Sequence, residues 1–477
     1  MLSEEFVSAI CGPPLTSNTS IAKDVGVYVH TLSPAYSVKG TFKKNSAPPN
    51  CLAVNESHVF AAQDGKAALH VYSRPRGNQE AYVPFPEKIR CVALAGDVLV
   101  LGTTEGRIML WEYCTGRLVS TPPCHVQAVT CLATTAHHVL SGSDDSNVHV
   151  WSLASLLALD PASEHEPERT LSNHRAAVVA LATDQPATSS SPPTSGGAAG
   201  ALCVSAARDK TCVVWDVATG QALRTLLLPA APLCAALDPC ARALAVATDD
   251  GCLHLVELLG DPPLLGAHAP EAASTAVQVP ASDPFGLAPL DAYGPAACLA
   301  VSHDGTVLLS GHAKGKVLQW SLATAAEGGS GPPPVELADL NAAVSNVAFV
   351  PPLPRTRSTV APAVVKPAAA NAAAAAGYSF TAQLEGDLGG GGGGDRQASR
   401  FDRLLATPGF GQEALEQAVL ALEQQQQQQS TSGGGGGGGP SENEVNLQLQ
   451  NEELLQIINE QRALYKQVLQ KQAASES

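Results

Sequence analysis

The sequence predicts an all-β fold, a seven-bladed β-propeller, followed by a low-complexity linker and a C-terminal α-helix. Three observations predict it. One strand–turn–strand unit recurs along the first 350 residues. The closing residues of successive units recur at a nearly fixed spacing. The composition then changes abruptly after Pro351.

The unit is a strand rich in small residues, a tight turn, and an alternating strand that ends on a large residue. It reads "VLVLGTTEGRIMLWE", "HVLSGSDDSNVHVWS", "CVSAARDKTCVVWD", "LAVATDDGCLHLVE" and "VLLSGHAKGKVLQWS". A weaker copy is "VFAAQDGKAALHVYS", and "DVGVYVH" supplies a seventh strand near the N-terminus. Alternation with period two, as in Ile108-Met109-Leu110-Trp111 and Val148-His149-Val150-Trp151, marks these runs as strands. Asp250-Gly251, Glu105-Gly106 and Asp304-Gly305 suit tight hairpins.

The closing positions are Tyr72, Trp111, Trp151, Trp215, Val256 and Trp320, separated by 39, 40, 64, 41 and 64 residues. Three intervals fall close to the period of roughly 40–45 residues typical of WD repeats. The two long ones contain insertions, "TSSSPPTSGGAAG" and the Pro-rich segment around 261–290. Four-stranded units at this spacing close radially into a propeller. The first blade has pieces at 5–10, 25–30 and 36–42 but lacks an inner strand. "AVSNVAFV", within 343–350, is expected to supply it and close the ring, removing exposed sheet edges. The propeller therefore spans 1–350.

Two copies carry a fuller polar signature. His125, Ser141, Asp145 and Trp151 form one set; His174, Ser205, Asp209 and Trp215 form the other. In each, the Asp is expected to accept from the imidazole, whose other nitrogen meets the Ser hydroxyl, which meets the indole N–H. Buried polar groups need such partners. A His–Ser–Asp set invites comparison with a catalytic triad, but this one recurs at the repeat period, whereas an active site occurs once. Other copies are degenerate: Lys314 stands where the turn Asp belongs, no His lies near 292, and Val256 replaces Trp. Those blades are expected to depend on apolar packing.

Residues 351–440 read as a low-complexity linker, rich in Pro and Ala, with six glycines at 389–394 and seven at 433–439. A short helix is expected at about 412–424, running into six glutamines. From Ser441 a helix begins with a capping box, Ser441 and Glu444, and extends to about 472. Leu447, Leu454, Ile458, Leu464 and Val468 form its narrow apolar stripe. A lone helix of this kind is marginal in water. It is expected to bind a partner helix, or to form a coiled-coil homodimer with a copy of itself.

The formal net charge is −16 and no run of Lys or Arg exceeds Lys43-Lys44, which disfavours strong direct nucleic-acid binding and anionic membranes. No stretch of ~18 apolar residues spans a membrane, and the start carries no signal-like segment. The twelve cysteines are scattered, none in a CxxC pair, and read as small buried residues in a reducing compartment. "HEPER" lacks the second His of a zinc protease helix, and "GHAKGK" lacks phosphate-loop spacing. No catalytic, cofactor-binding or metal site is expected.

Residues 1–350 thus resemble the WD-repeat family. A narrower resemblance rests on "SDDSNVHVWSLASLLALDP", "RDKTCVVWDVATGQAL", the insertion before "CLAVSHDGTVLLSGHAKGKVLQWSL", the closing "VSNVAFVPPL", and a C-terminal Leu/Asn/Glu-rich helix. Together these resemble the WD-repeat subunit of the nucleolar complex that processes rRNA. The glycine and glutamine tracts depart from that pattern. The resemblance implies a non-catalytic scaffold in the nucleus, nucleolus and nucleoplasm, supporting removal of the second internal transcribed spacer and large-subunit assembly. Implied partners are two helical-repeat subunits and, indirectly, the pre-ribosomal particle and a dynein-like AAA ATPase. The alternative is a generic WD-repeat adaptor, cytoplasmic or nuclear, in ubiquitin ligation, signalling or trafficking. Against the ubiquitin-ligase receptor, Trp215-Asp216-Val217-Ala218 lacks the Arg such propellers often carry.

Overall fold

The computed structural model describes residues 4–15, 25–158, 165–184, 201–259, 264–265, 276–281, 284–322, 333–350, 364–365 and 379–384. Blade 1 begins with β1 (Glu4–Cys11), β2 (Val25–Ser33) and β3 (Ser37–Lys43). Blade 2 is β4 (Leu52–Val54), β5 (His58–Ala62), β6 (Ala68–Ser73) and β7 (Asn78–Pro84). Blade 3 is β8 (Ile89–Ala95), β9 (Val98–Thr103), β10 (Ile108–Glu112) and β11 (Arg117–Ser120). Blade 4 is β12 (Val129–Thr134), β13 (His138–Ser143), β14 (Val148–Ser152) and β15 (Arg169–Leu171), with the single helical turn α1 (Leu153–Leu156) after β14. Blade 5 is β16 (Val178–Thr183), β17 (Leu202–Ala207), β18 (Thr211–Asp216) and β19 (Ala222–Leu227).

Blade 6 is β20 (Pro232–Leu237), β21 (Ala243–Thr248) and β22 (Cys252–Glu257). The chain then sends β23 (Ala276–Gln278) back to blade 5, parallel to β19, before β24 (Gly286–Leu287) completes blade 6. Part of the Pro-rich insertion is therefore a fifth strand of blade 5. Blade 7 is β25 (Ala296–Val301), β26 (Val307–His312), β27 (Lys316–Ser321) and β28 (Val335–Asp339).

The next strand, β29 (Ala343–Phe349), pairs antiparallel with β1, so blade 1 runs β29-β1-β2-β3. Its innermost strand thus comes from the far end of the propeller. The inner strands β29, β4, β8, β12, β16, β20 and β25 pack each on the next, and β25 returns to β29. Polar side chains fasten the closure. Ser345 Oγ donates to the carbonyls of Ala9 at 3.1 Å and Ala47 at 2.6 Å, and Asn346 Nδ2 donates to Pro48 at 2.8 Å.

The apolar core is divided among the seams between blades. Phe6, Tyr28, Leu309, Val317 and Val344 fill the seam of blades 7 and 1. Val204, Val214, Leu226, Leu244 and Val246 fill that of blades 5 and 6. The cysteines do more than fill space there. Cys51 Sγ donates to the Arg90 carbonyl of blade 3 at 3.1 Å, and Cys91 Sγ to the Val129 carbonyl of blade 4 at 3.4 Å. Thr130 Oγ1 continues the series to the Val178 carbonyl of blade 5 at 2.5 Å. Burial pushes the Cys51 and Cys91 thiols well up, so both stay protonated donors. A bulge falls at the residue before each of Cys91, Cys131, Cys234 and Cys298, which turns the thiol onto the seam.

Within 351–440 the described residues form strands rather than the expected linker. Here β31 (Ser379–Phe380) adds antiparallel to the outer edge of blade 3, and β32 (Gln383–Leu384) pairs with β30 (Val364–Val365). The physical reason is a short alternation, Phe380, Ala382, Leu384, inside the Ala/Gly-rich text; Leu384 is buried. The expected helices at 412–424 and 441–472, with Leu447, Leu454, Ile458, Leu464 and Val468, lie outside the described residues.

Candidate functional site

In blade 4 the four expected residues come together. His125 enters from the loop before β12, Ser141 from β13, Asp145 from the β13–β14 turn and Trp151 from β14. His125 Nδ1 lies 3.0 Å from Asp145 Oδ2, His125 Nε2 lies 2.9 Å from Ser141 Oγ, and the Trp151 indole donates to Ser141 Oγ at 3.0 Å. A carboxylate only accepts, so Nδ1 carries the proton. Nε2 then accepts from the Ser hydroxyl, and the Ser oxygen accepts from Trp151. Asp145 also accepts the backbone N–H groups of Val126 and Asn147. Burial alone would raise its pKa, but the His125 hydrogen bond and these N–H groups outweigh it and hold the carboxyl at about 2. The set fixes a turn to two strands. Ser141 is fully buried and both its oxygen and its proton are engaged.

Blade 5 differs from expectation. His174 Nε2 meets Ser205 Oγ at 2.6 Å, and Trp215 donates to Ser205 at 2.8 Å. But His174 Nδ1 meets Thr211 Oγ1 at 2.8 Å, while Asp209 stands 3.8 Å away. Thr211 relays the contact by donating to Asp209 Oδ1 at 2.5 Å. The cause is the residue after Lys210: a Thr two positions beyond the Asp puts a hydroxyl between carboxylate and ring. Burial lowers the His174 pKa.

Blade 7 was expected to depend on apolar packing and instead holds a third network. Trp320 donates to Ser310 Oγ at 2.8 Å, Ser310 meets His312 Nε2 at 2.9 Å, and His312 Nδ1 donates to the Gly294 carbonyl at 3.0 Å. The His comes from the strand itself. Residues i and i+2 share a strand face, so "SGH" places both side chains together. That signal is present in the sequence as Ser310-Gly311-His312, whereas the expected position for the His is the loop near 292. Blade 1 holds a fourth: Ser8 Oγ meets His30 Nε2 at 2.8 Å, and His30 Nδ1 meets Tyr36 Oη at 3.1 Å.

Three of the four tryptophans follow one rule: the indole donates to a Ser ten residues earlier in the chain. For Trp111 that position is Leu101. Its indole donates instead to the carbonyl of Ala382, 2.9 Å away, in the segment on the outer edge of blade 3. Thr381 N–H donates to the Gly116 carbonyl at 2.8 Å and Leu384 N–H to that of Tyr113 at 2.7 Å. Leu384 sits in the same apolar cluster as Phe60, Phe85, Trp111 and Tyr113. Among the described residues, the outer edges of blades 3 and 5 each hold another stretch of chain, and at blade 3 that stretch also supplies the acceptor for a buried tryptophan.

Among the described residues, no group of three or more His, Cys, Asp or Glu is placed to hold a metal, and no helix is long and apolar enough to cross a membrane.

The family described as WD domain, G-beta repeat matches residues 116–152. The chain is 33% identical over 269 residues to a pre-rRNA-processing protein IPI3 of Yarrowia lipolytica, covering 55% of this chain and 59% of that one. It is 28% identical to WD repeat-containing protein 18 of Danio rerio, covering 61% and 63%, and 24% identical to the pre-rRNA-processing protein crb3/ipi3 of Schizosaccharomyces pombe, covering 59% and 66%. The matched stretch therefore spans about three fifths of the length of these relatives. A solved structure titled "Structure of U3-55K" overlays with a TM-score of 0.48 at 20% identity, over 64% of this chain and 85% of that one. The chain carries a WD repeat within a seven-bladed propeller and is similar to pre-rRNA-processing proteins.

Proposed function

We propose that this chain is a non-catalytic scaffold subunit of a nucleolar complex that processes pre-rRNA and helps mature the large ribosomal subunit. The observation that carries this reading is the 33% identity, over 269 residues, to a protein named for pre-rRNA processing. The internal chemistry is consistent with it. The His, Ser and Asp groups of blades 4 and 5 are turned inward on one another, so what the ring offers outside is surface. Removal of the second internal transcribed spacer is the step we assign to the complex. Its helical-repeat subunits are the direct partners, and the pre-ribosomal particle and a dynein-like AAA ATPase the indirect ones. The helix at 441–472 serves assembly, by pairing with a partner helix or with a second copy. The acidic balance leaves rRNA contact to partners.

The test is affinity purification of the tagged chain from its own cells. The expected result is co-purification with large-subunit precursors and two helical-repeat proteins. Recovery free of pre-ribosomal particles would refute the assignment.

A further inference from the structure

We propose that the outer edge of blade 3 is a strand-accepting peptide site, and that residues 379–384 are its tethered ligand, exchangeable with an extended segment of another protein. Three observations carry this. First, blade 3 lacks the Ser that satisfies the tryptophan elsewhere, so the buried Trp111 N–H calls for an acceptor from outside the blade. Second, the segment bonds to the blade through its backbone atoms: the Ala382 carbonyl accepts from Trp111, and the N–H groups of Thr381 and Leu384 donate to the carbonyls of Gly116 and Tyr113. Recognition through the main chain accepts any extended segment, with pockets choosing the side chains. Third, only Leu384 is deeply buried, while Ser379 is exposed and Phe380, Ala382 and Gln383 are half-buried. The site thus asks for a small residue opposite Trp111 and an apolar residue two positions on, among Phe60, Tyr113 and Trp111.

So short a segment binds weakly by itself. Because it belongs to the same chain, its docking is intramolecular, at an effective concentration on the order of millimolar. A competing segment of the same pattern, presented at higher local concentration by a bound partner, would displace it. The ligand class is therefore an extended peptide with an apolar–x–small–x–apolar pattern, as in Phe380, Ala382 and Leu384.

The experiment uses the full chain and a variant in which 379–384 are replaced by Gly/Ser residues of equal length. A fluorescent peptide of residues 377–387 is titrated into each, read by anisotropy. The vacated chain is expected to bind at least tenfold tighter than the intact chain. The same peptide carrying Leu384→Asp is expected to bind neither. Trp111→Phe in the vacated chain is expected to weaken binding severalfold. Should Trp111→Phe fail to fold, Leu384→Asp in the peptide still tests specificity. Equal binding by both chains, binding by neither, or indifference to Leu384→Asp would each overturn the proposal.

Discussion

The Trp111 indole N–H donates to the carbonyl of Ala382 at 2.9 Å across 271 positions of sequence. Where Trp151, Trp215 and Trp320 find a Ser ten residues back, Trp111 finds Leu101. A buried donor without a partner costs about 1–3 kcal/mol. Leu384→Asp expels the segment and is expected to destabilise the chain by about that much. The amides of Thr381 and Leu384, which donate to Gly116 and Tyr113, lose their hydrogen-exchange protection. Guanidinium denaturation and amide exchange read the two effects separately. Unchanged protection at both amides would show that Leu384 does not hold the segment.

The two well-formed networks differ in how Asp reaches His, and that difference is measurable. In blade 4 the imidazole donates straight to Asp145. Asp145→Asn removes a charged acceptor and is expected to cost about 1.5–3 kcal/mol. In blade 5 Thr211 stands between His174 and Asp209. Thr211→Val, which leaves the imidazole facing a methyl group, is therefore expected to cost more than Asp209→Asn. Urea denaturation of the single variants checks the order, and the reverse order in blade 5 would mean that the 3.8 Å contact to Asp209 dominates.

Much of the ring was legible because strand alternation and the repeat period are local or regular signals. The missing inner strand of blade 1 was legible because a blade left one strand short needs another from somewhere in the chain. Three features were not. Thr211 was overlooked because a one-atom relay does not alter the spacing of His174, Ser205, Asp209 and Trp215. His312 was overlooked because the network took its His from the strand rather than from the preceding loop. Phe380, Ala382 and Leu384 were hidden because a three-point alternation within Ala- and Gly-rich text is too short to stand out, and only the unmatched Trp111 gives it a destination.

The seams make a steric prediction. At Gly102 an added Cβ would lie 2.4 Å from Cys91 Sγ and 2.7 Å from Val129 Cγ1; at Gly311 it would lie 2.5 Å from Cys298 Sγ and 2.6 Å from Val344 Cγ1. Neither thiol has room to retreat, because each sits against the next blade. Gly102→Ala and Gly311→Ala are expected to destabilise by about 1–3 kcal/mol through overpacking. Cys91→Ala combined with Gly102→Ala should recover part of the loss but not all, since Val129 remains. A double-mutant cycle from thermal or urea denaturation measures the coupling. Strict additivity would show that the seam relaxes without involving the thiol.

The buried histidines set the acid response. His30 is fully buried, stacked 4.4 Å from Phe6 and bonded to Ser8 and Tyr36, and burial lowers its pKa to about 4. Burial lowers His174 and His312 in the same direction. Between the ordinary imidazole value of about 6.5 and the lowered one, the unfolded chain binds more protons than the folded chain, so stability rises with pH across that window. The contribution is complete above about 6.5 and is lost as pH falls toward 4; for His30 alone it amounts to roughly 3 kcal/mol. Asp145, held at about 2, acts at lower pH: its contribution is present above the ordinary carboxylate value and is lost as pH falls through 2. Guanidinium midpoints are therefore expected to drop steeply from pH 7 to pH 4.5. His30→Gln, which keeps a partner for Ser8 but cannot titrate, should flatten that drop relative to the parent chain. A parent chain equally stable at both pH values would contradict a neutral, desolvated His30.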